Sequence, residues 1–308
     1  ITKAPFTVDV IASDKVYDGT TTAYATVTGS GLKDEMDDVR IAEGSKFAFT
    51  DARVGTDKEV KVTTMTLIGA QANNYEIKVN PVTASITPAT LSARATGVNK
   101  VYDGSAMVSV VFSNIEGYAA VDSSATVQIK NGSAVAVSSD AGTQLLTNIT
   151  ASLEGSSAAN YVLKITNEAS ATVTISPATP NVEAPVISGL VYDSAKTLQT
   201  VDLSGYTTAN GFWQFDDLTL VPTVSQKTYA ATYYSSNKNY TNLNATITLN
   251  IDPKQVVLTA DDKSVPYGTK APVFTITASG FTGDDTLADI GGSCTPISTY
   301  AAGSDIGS

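Results

Sequence analysis

An ordered set of three short motifs recurs along this chain, and the repetition limits what the chain can fold into more than any other feature. The first motif is Lys-Val-Tyr-Asp-Gly at 15–19 and 100–104, with weaker forms at 190–194 and 265–268. The second is an Asn-Tyr pair, and the third is a strand that ends in proline. Chance does not preserve both order and spacing, so the sequence predicts an array of similar modules.

The repeated positions define a set of residues with predicted structural roles. The motif tyrosine is expected to bury its ring in a core and to hydrogen-bond a backbone group, while Asp and Gly shape the turn. The asparagine of each pair is expected to adopt a left-handed conformation before the tyrosine enters a strand. Recurrence in successive modules favours turn and core roles over a ligand site. These residues are Tyr17, Asp18, Gly19, Tyr102, Asp103, Gly104, Tyr192, Asp193, Tyr267, Gly268, Asn74, Tyr75, Asn160, Tyr161, Asn239 and Tyr240.

Proline-bearing strand ends divide the chain into modules, because proline cannot extend a ladder of hydrogen bonds. The prolines are Pro88, Pro177 and Pro253. The fourth module has no Asn-Tyr pair or closing strand, so it is expected to be truncated and to expose a strand edge that permits strand exchange. The predicted segments are 1–4 (the end of a preceding repeat), 5–88, 89–178, 179–253 and 254–308.

Residue periodicity predicts an all-β fold. Tyr75, Ile77 and Val79 alternate with polar residues, as in a half-buried strand. Turns are predicted at the Asp-Gly dipeptides 18–19 and 103–104, at Asn131-Gly132 and at 283–285. We expect tandem immunoglobulin-like β-sandwich modules, mostly antiparallel, in an elongated monomeric rod with short proline linkers. A β-grasp-like module with a short crossover helix is the alternative.

Composition excludes several function classes. The net charge is −11, which disfavours nucleic acid as a partner. The chain has no histidine and one cysteine, Cys294, so His-dependent catalysis, His-ligated metals and internal disulfides are excluded. Cys294 is interpreted as an incidental thiol. There is also no apolar run of transmembrane length, so no membrane insertion is expected in this segment. We therefore expect a protein without enzymatic activity and without catalytic residues.

Three candidate sites have lower priority. An aromatic run could form a platform for a sugar ring, although core packing is the favoured interpretation. Paired aspartates could bind calcium, the one cofactor considered, although solvated charge is favoured. A Lys–Asn isopeptide cross-link could join Lys15 to Asn74 or Lys100 to Asn160. The aromatic candidates are Phe212, Trp213 and Phe215, and the calcium candidates are Asp261, Asp262, Asp284 and Asp285.

The motifs resemble those of a known group of repeats. Lys-Val-Tyr-Asp-Gly-Thr at 15–20, the Asn-Tyr pair and Ile-Thr-Pro-Ala at 86–89 resemble the YDG repeats of bacterial surface adhesins. The stretch 260–284 resembles the MBG repeats that often follow them. The segment with Gly-Phe-Trp-Gln-Phe at 211–215 is similar to related β-repeats of Firmicutes surface proteins. The resemblance implies an extracellular location, on the bacterial cell surface or secreted, and no catalytic site.

Three functional hypotheses follow, in order of preference. The first is an adhesin stalk that holds a binding head away from the cell wall. The second is direct adhesion to a host glycan, mucin or matrix protein through module 3 or 4. The third is a set of accessory modules attached to a surface hydrolase.

Overall fold

A computed structural model of the protein describes residues 1–291 and 295–306, so Cys294 lies outside the described residues. The chain divides into two compact units, Ile1–Ser176 and Pro177–Ser308. The regular elements of the described residues are strands and short 3₁₀ turns. The predicted all-β class is therefore confirmed for this part of the chain, and modules 1 and 2 show the predicted tandem sandwich packing. The crossover helix of the β-grasp alternative is not found there.

Module 1 is built from ten strands and one 3₁₀ turn. Its strands follow closely the segments of alternating apolar and polar residues that the sequence indicated. The strands are β1 (Ala4–Ala12), β2 (Lys15–Val16), β3 (Thr22–Ala23), β4 (Ala25–Ser30), β5 (Arg40–Ile41), β6 (Lys46–Phe49), β7 (Gly55–Thr64), β8 (Leu67–Ile68), β9 (Tyr75–Val79) and β10 (Thr83–Thr87), with the 3₁₀ turn η1 at Ala72–Asn74.

Two main sheets pack face to face in module 1. Their strand orders are β4-β1-β9 and β2-β10-β7-β6-β3, with β5 and β8 forming a small ribbon. Strand β1 is antiparallel to β4 and parallel to β9, where Ala4 lies opposite Tyr75. Val10 and Val27 of the first sheet pack against both core clusters of the module, which unites the two sheets around one apolar interior.

Module 2 repeats this plan with longer strands. The closing strand β10 ends at Thr87 and the next strand begins at Ala89, so Pro88 alone separates the modules. The elements are β11 (Ala89–Gly97), β12 (Lys100–Val101), β13 (Met107–Glu116), β14 (Gln128–Ala136), β15 (Gly142–Glu154), η2 (Ala158–Asn160), β16 (Tyr161–Ile165), η3 (Glu168–Ser170) and β17 (Thr172–Ser176).

The seven strands of module 2 form one sheet that folds back on itself. The order is β12-β17-β15-β14-β13-β11-β16, so three strands separate β17 from β11. Even so, a Cβ added to Gly97 of β11 would lie 2.6 Å from Val173 Cβ of β17. Strand β11 also pairs in parallel with β16, with Ala89 opposite Tyr161. The same register in module 1 makes the two modules directly comparable.

Asn131 and Gly132 lie within a strand rather than in the turn that the sequence predicted. Asn131 has a φ of 53° and lies inside β14, where the register with β15 shifts between Lys130 and Ser133. Asparagine tolerates a left-handed conformation, so the same local preference that suits a turn also suits a β-bulge. The long strand β14 therefore continues through this dipeptide.

Module 3 has one four-stranded sheet, in the order β18-β21-β20-β19. Its buried face carries Trp213, Phe215 and Tyr233, and residues from loops and 3₁₀ turns, such as Leu198, pack against that face. Loops thus supply the second layer of this module. The elements are β18 (Val186–Val191), η4 (Leu198–Thr200), η5 (Ser204–Tyr206), β19 (Gly211–Phe215), β20 (Thr228–Ser235) and β21 (Leu243–Asp252).

Within its described residues, module 4 contains a single ribbon of two antiparallel strands, β22 (Val257–Ala260) and β23 (Ile276–Ser279), followed by the 3₁₀ turn η6 (Leu287–Asp289). None of its described residues is buried. Tyr267, predicted to be a core tyrosine, is 71% exposed. That prediction is wrong because two strands do not enclose a core that could hold the ring.

Candidate functional site: the junction between modules 1 and 2

The Val-Tyr-Asp-Gly turn begins where its strand leaves the closing strand of the same module. The backbone N–H of Tyr17 donates to Thr87 O at 2.8 Å, and that of Tyr102 donates to Ser176 O at 2.8 Å. Gly19 then adopts a φ of +80° and Gly104 a φ of +79°, which glycine tolerates without strain. The motif therefore places one tightly folded turn at the end of each module.

A lysine holds this turn together. Lys15 Nζ lies 2.7 Å from Asp18 Oδ1 and donates to the carbonyl oxygens of Thr20 and Thr22 at 2.8 and 3.0 Å. Its side chain is only 9% exposed. Lys100 makes the corresponding contacts in module 2, with Asp103 Oδ1 at 2.7 Å. These lysines thus close their own turns, and Lys15 is engaged there rather than with Asn74, its partner in the isopeptide hypothesis.

The lysines also set the charge state of the turn. Burial by itself would raise the pKa of Asp18, but hydrogen bonds from Lys15 and Thr20 outweigh it and lower the pKa. The hydrogen bond from Lys100 is the main cause of the lowered pKa of Asp103. Both aspartates therefore remain ionised, and accept hydrogen bonds, well into the acidic range.

Tyr17 of module 1 reaches across to module 2. Its Oη donates to Asp122 Oδ2 at 2.9 Å, and Tyr161 Oη donates to the same oxygen at 2.8 Å. Tyr161 Oη in turn accepts from the backbone N–H of Ala119 at 2.8 Å. The two tyrosine rings meet edge to face, with centroids 5.5 Å apart. The sequence predicted a backbone partner for Tyr17, and the structure corrects this to a carboxylate of the next module.

A second hydrogen bond and a shared core complete the junction. Asn160 Oδ1 accepts from the backbone N–H of Val54 at 3.0 Å, and Asn160 is only 7% exposed. One apolar cluster contains Ile86 and Phe49 of module 1 together with Leu91 of module 2. Modules 1 and 2 therefore share buried surface as well as polar contacts, which explains why they form one compact unit.

The environment of the junction shifts the ionisation of all three polar groups. Burial is the main cause that raises the pKa of Tyr161 to about 12, and the nearby Asp122 carboxylate adds to it. Burial and the hydrogen bond to Asp122 raise the pKa of Tyr17. Burial would raise the pKa of Asp122, but hydrogen bonds from Ser157, Tyr161 and Tyr17 outweigh it and lower the pKa. Near neutral pH the junction therefore consists of one carboxylate and two neutral phenols.

The Asn-Tyr pairs have one conformation in modules 1 and 2. Asn74 and Asn160 end the 3₁₀ turns η1 and η2, and Tyr75 and Tyr161 begin the next strands. Neither asparagine is among the described residues with positive φ, so the predicted left-handed conformation is wrong. The 3₁₀ turn leads the chain into the next strand, so the asparagine does not need a left-handed conformation. In module 3, Asn239 is buried in a turn and Tyr240 forms an isolated bridge with Ala178.

The weaker motif of module 3 uses different contacts. Leu190 stands where modules 1 and 2 have lysine, and Asp193 has Lys196 Nζ at 3.5 Å instead. Ser194, in the place of the glycine, donates its hydroxyl to Thr282 O of module 4 at 2.5 Å. Gly283 approaches the same serine closely. Here too the turn of one module meets a loop of the next.

The aromatic run of module 3 is split between two faces of a strand. Trp213 and Phe215 lie in the core at 5% and 1% exposure, so they offer no platform for a ligand. This corrects the ligand hypothesis for both residues and follows from the alternation of side chains along β19. Phe212 lies on the opposite face, 41% exposed, and stacks on Tyr234 with a centroid distance of 5.5 Å.

The acidic residues do not converge within the described part of the chain. No group of three or more His, Cys, Asp or Glu that could hold a metal ion occurs there. Asp261 accepts hydrogen bonds from the hydroxyls of Thr275 and Thr277, and these bonds lower its pKa. Thr282 Oγ1 donates to Asp285 Oδ2 at 3.4 Å. Among the described residues, no helix is long and apolar enough to cross a membrane.

Sequence reasoning missed Asp122, the acceptor at the centre of the junction. Module 1 has the corresponding residue, Asp37, which accepts from Tyr75 Oη. Each aspartate precedes the tyrosine of its Asn-Tyr pair by nearly the same interval, 38 and 39 residues. That recurrence was the available signal, although the intervening loops differ in sequence.

Comparisons with known proteins agree with this repeat structure. A family model described as YDG domain matches residues 2–84 and 87–172, and one described as MBG domain (YGX type) matches residues 256–308. No curated protein gives a significant match.

Two solved structures show low similarity. The first, a crystal structure of the I9-I11 tandem from titin, is 12% identical, with a TM-score of 0.18, over 82% of this chain and 98% of that one. The second contains the N-terminal eight Ig domains of Down Syndrome Cell Adhesion Molecule isoform 1.30.30. It is 10% identical, with a TM-score of 0.16, over 92% of this chain and 46% of that one.

Proposed function

We propose, starting from the fact that this chain belongs to the YDG domain family, that it is a non-catalytic spacer region of a bacterial cell-surface protein. Its role is that of an adhesin stalk, which holds a binding head away from the cell. A spacer needs successive modules that keep their mutual orientation under load. The observation that supports this role is the junction in which Tyr17, Asp122 and Tyr161 join modules 1 and 2 over a shared apolar cluster.

The mechanical part of the proposal is tested by measuring whether modules 1 and 2 move as one body. Residual dipolar couplings of backbone amides in β7 and β15 should fit one alignment tensor for the unmodified chain. Asp122→Ala removes the shared acceptor, and its couplings should need two tensors. Independent orientation of the two modules in the unmodified chain would contradict a stiff spacer.

The cellular part is tested on the source bacterium. An antibody raised against this segment should label intact cells, or the culture medium if the protein is released. Labelling only after lysis would overturn the proposed location while leaving the rigidity result unaffected.

Direct adhesion through module 3 is the second candidate, supported by the exposed pair Phe212 and Tyr234. Stacked aromatic rings that face solvent are typical of surfaces that bind sugar rings or apolar side chains. If this pair binds a host glycan, mucin or matrix protein, Phe212→Ala should abolish retention on that ligand. Phe6→Leu, a change in the core of module 1, is the matched control and should leave retention intact.

A further inference from the structure

Module 1 has, at its end distant from Tyr17, the same polar arrangement with which module 2 receives Tyr17. Tyr75 Oη donates to Asp37 Oδ2 and accepts from the backbone N–H of Lys33 at 2.7 Å. In module 2, Tyr161 Oη donates to Asp122 and accepts from the N–H of Ala119 at 2.8 Å. The strand registers of Ala4 with Tyr75 and of Ala89 with Tyr161 are identical, so these residues are equivalent.

The two ends differ in what covers them. Asn160 is 7% exposed because module 1 lies over it and donates Val54 N–H to its side chain. Its equivalent, Asn74, is exposed. The loop residue Met36 is 90% exposed. Val121 in the corresponding loop is 62% exposed, and it lies so close to Gly19 of module 1 that a Cβ added there would be 2.2 Å away. Module 1 therefore presents a preformed acceptor end, defined here as Leu32, Met36, Asp37, Asn74 and Tyr75.

We propose that the acceptor end of module 1 binds the Val-Tyr-Asp-Gly turn of another YDG module. The incoming tyrosine hydroxyl donates to Asp37, as Tyr17 donates to Asp122. A backbone N–H of the incoming module donates to Asn74, as Val54 donates to Asn160. Met36 and Leu32 contact the glycine and the apolar edge of the turn. This inference does not depend on a cell-surface location or on a stalk function.

The chemistry of the acceptor end selects this occupant. A carboxylate can accept several hydrogen bonds, and Asp37 accepts one from Tyr75, so lone pairs remain for a second phenol, just as Asp122 accepts from two phenols. Apolar residues beside it favour a partner whose backbone approaches closely, which a glycine turn allows. In the second unit a turn also meets a loop of the following module, although through a different contact, since Ser194 donates to Thr282 O. That loop begins at Gly280, which has a positive φ like Gly117 and Gly31.

The test extends the full chain by one module. A copy of residues 4–85 is placed before Ile1, so that Ile1-Thr2-Lys3 occupies the position of Ile86-Thr87-Pro88. The copy contains Met36→Leu and Asn73→Gln, so that its peptides have distinct masses. Hydrogen exchange is then followed by mass spectrometry in residues 31–39 and 70–76 of the original module 1, with the module 2 loop, residues 117–127, as reference.

In the unmodified chain, residues 31–39 should exchange at least about tenfold faster than residues 117–127, because no module covers them. In the extended chain the two loops should exchange at similar rates. Tyr17→Ala in the added copy is the matched control, and it should restore fast exchange while β9 of the copy, read in the peptide that carries Asn73→Gln, stays protected. Unchanged fast exchange beside a protected, folded copy would overturn the proposal.

A second version keeps the test decisive if the added copy does not fold. There the added module is residues 89–174, which contain the turn at Tyr102. It carries Val121→Ile and Leu145→Val, both at exposed positions, so that its loop and its strand β15 differ in mass from those of module 2 and β15 serves as a folding check. A further arm adds soluble mucin to the unmodified chain. Protection of residues 31–39 by mucin, with none from either added module, would assign this surface to a glycan-bearing partner and overturn the proposal.

Discussion

Asp122 accepts both phenolic hydrogen bonds at the junction. Removing one phenolic oxygen, that of Tyr17 or that of Tyr161, is therefore expected to destabilise both modules. A hydrogen bond to a charged acceptor contributes about 1.5–3 kcal/mol when its removal leaves the acceptor partly buried. Asp122 keeps other donors, which limits the loss from any single change.

Replacing Tyr17 with phenylalanine removes the hydroxyl and keeps the ring. We expect Tyr17→Phe to lower the free energy of unfolding of the first unit by about 1–3 kcal/mol. Urea denaturation followed by circular dichroism measures this. The control is Tyr24→Phe, at a tyrosine that is 69% exposed, and its effect should stay within about 0.5 kcal/mol. Equal effects of the two variants would show that the hydroxyl of Tyr17 does not stabilise the junction.

Alkaline pH should weaken the hydrogen bond from Tyr161 to Asp122. The pKa of Tyr161 is raised to about 12 in the folded state, above its unfolded value of about 10. Its neutral form therefore stabilises the fold fully below pH 10, and this stabilisation is lost as the pH rises through 12. The difference in melting temperature between the unmodified chain and Tyr161→Phe should narrow between pH 9 and 12. A constant difference in melting temperature from pH 9 to 12 would contradict the conclusion that neutral Tyr161 stabilises the junction.

At the scale of elements, the two best-preserved turns provide a matched pair of glycines. Gly19 and Gly104 have nearly the same positive φ, but a Cβ on Gly19 would lie 2.2 Å from Val121 Cγ2 and one on Gly104 would have no atom within 4 Å. Both Gly→Ala changes incur the backbone cost of about 1–2 kcal/mol for a left-handed residue. The difference between the two losses of stability therefore measures the steric contact of position 19 with Val121 across the junction.

We expect Gly19→Ala to destabilise the first unit by about 1–3 kcal/mol more than Gly104→Ala, because overpacking is added to backbone strain. Thermal unfolding of both variants measures the difference. Val121→Ala in the Gly19→Ala background should recover part of the loss, and absence of any recovery would show that the clash lies elsewhere.

The ribbon of β22 and β23 is the element with the least support from packing. Its residues are not buried and only two strands pair, so local opening should require little free energy. Amides of 257–260 and 276–279 should exchange at least about a hundredfold faster than those of β11, which has five buried residues. Protection of the ribbon equal to that of β11 in a dilute monomer would disprove this and would also argue against strand exchange there.

At the scale of the whole molecule, the two compact units are expected to unfold separately, and modules 1 and 2 to unfold together. The shared apolar cluster couples β7 and β15, whereas Trp213, the only tryptophan, reports on the second unit. Pulse-labelling hydrogen exchange across a urea series should show β7 and β15 losing protection at one midpoint, independent of the midpoint for Trp213 fluorescence. Asp122→Ala should separate β7 from β15. Separate midpoints in the unmodified chain would contradict the shared core.

Much of the fold could be predicted from short sequence patterns, because the position of a strand and the conformation of a turn depend mainly on residues that are close together in the sequence. Alternation in 75–79 predicted the strand β9, Pro88 predicted the end of module 1, and Asp-Gly dipeptides predicted turns with positive φ at Gly19 and Gly104. The same reasoning failed at Asn131, where one backbone preference serves either a turn or a bulge, and the neighbouring strand decides between them.

The sequence by itself determined the repeat, the strand positions and the turn chemistry of each module, since these depend on residues within a few positions of each other. Only the tertiary structure decided that Tyr17 meets Asp122, 105 residues away, that Trp213 faces the core and Phe212 the solvent, and that the Asp37 end of module 1 stays exposed. The physical reason is that such contacts depend on how complete sheets pack against each other, and the local pattern of one strand does not specify its neighbour.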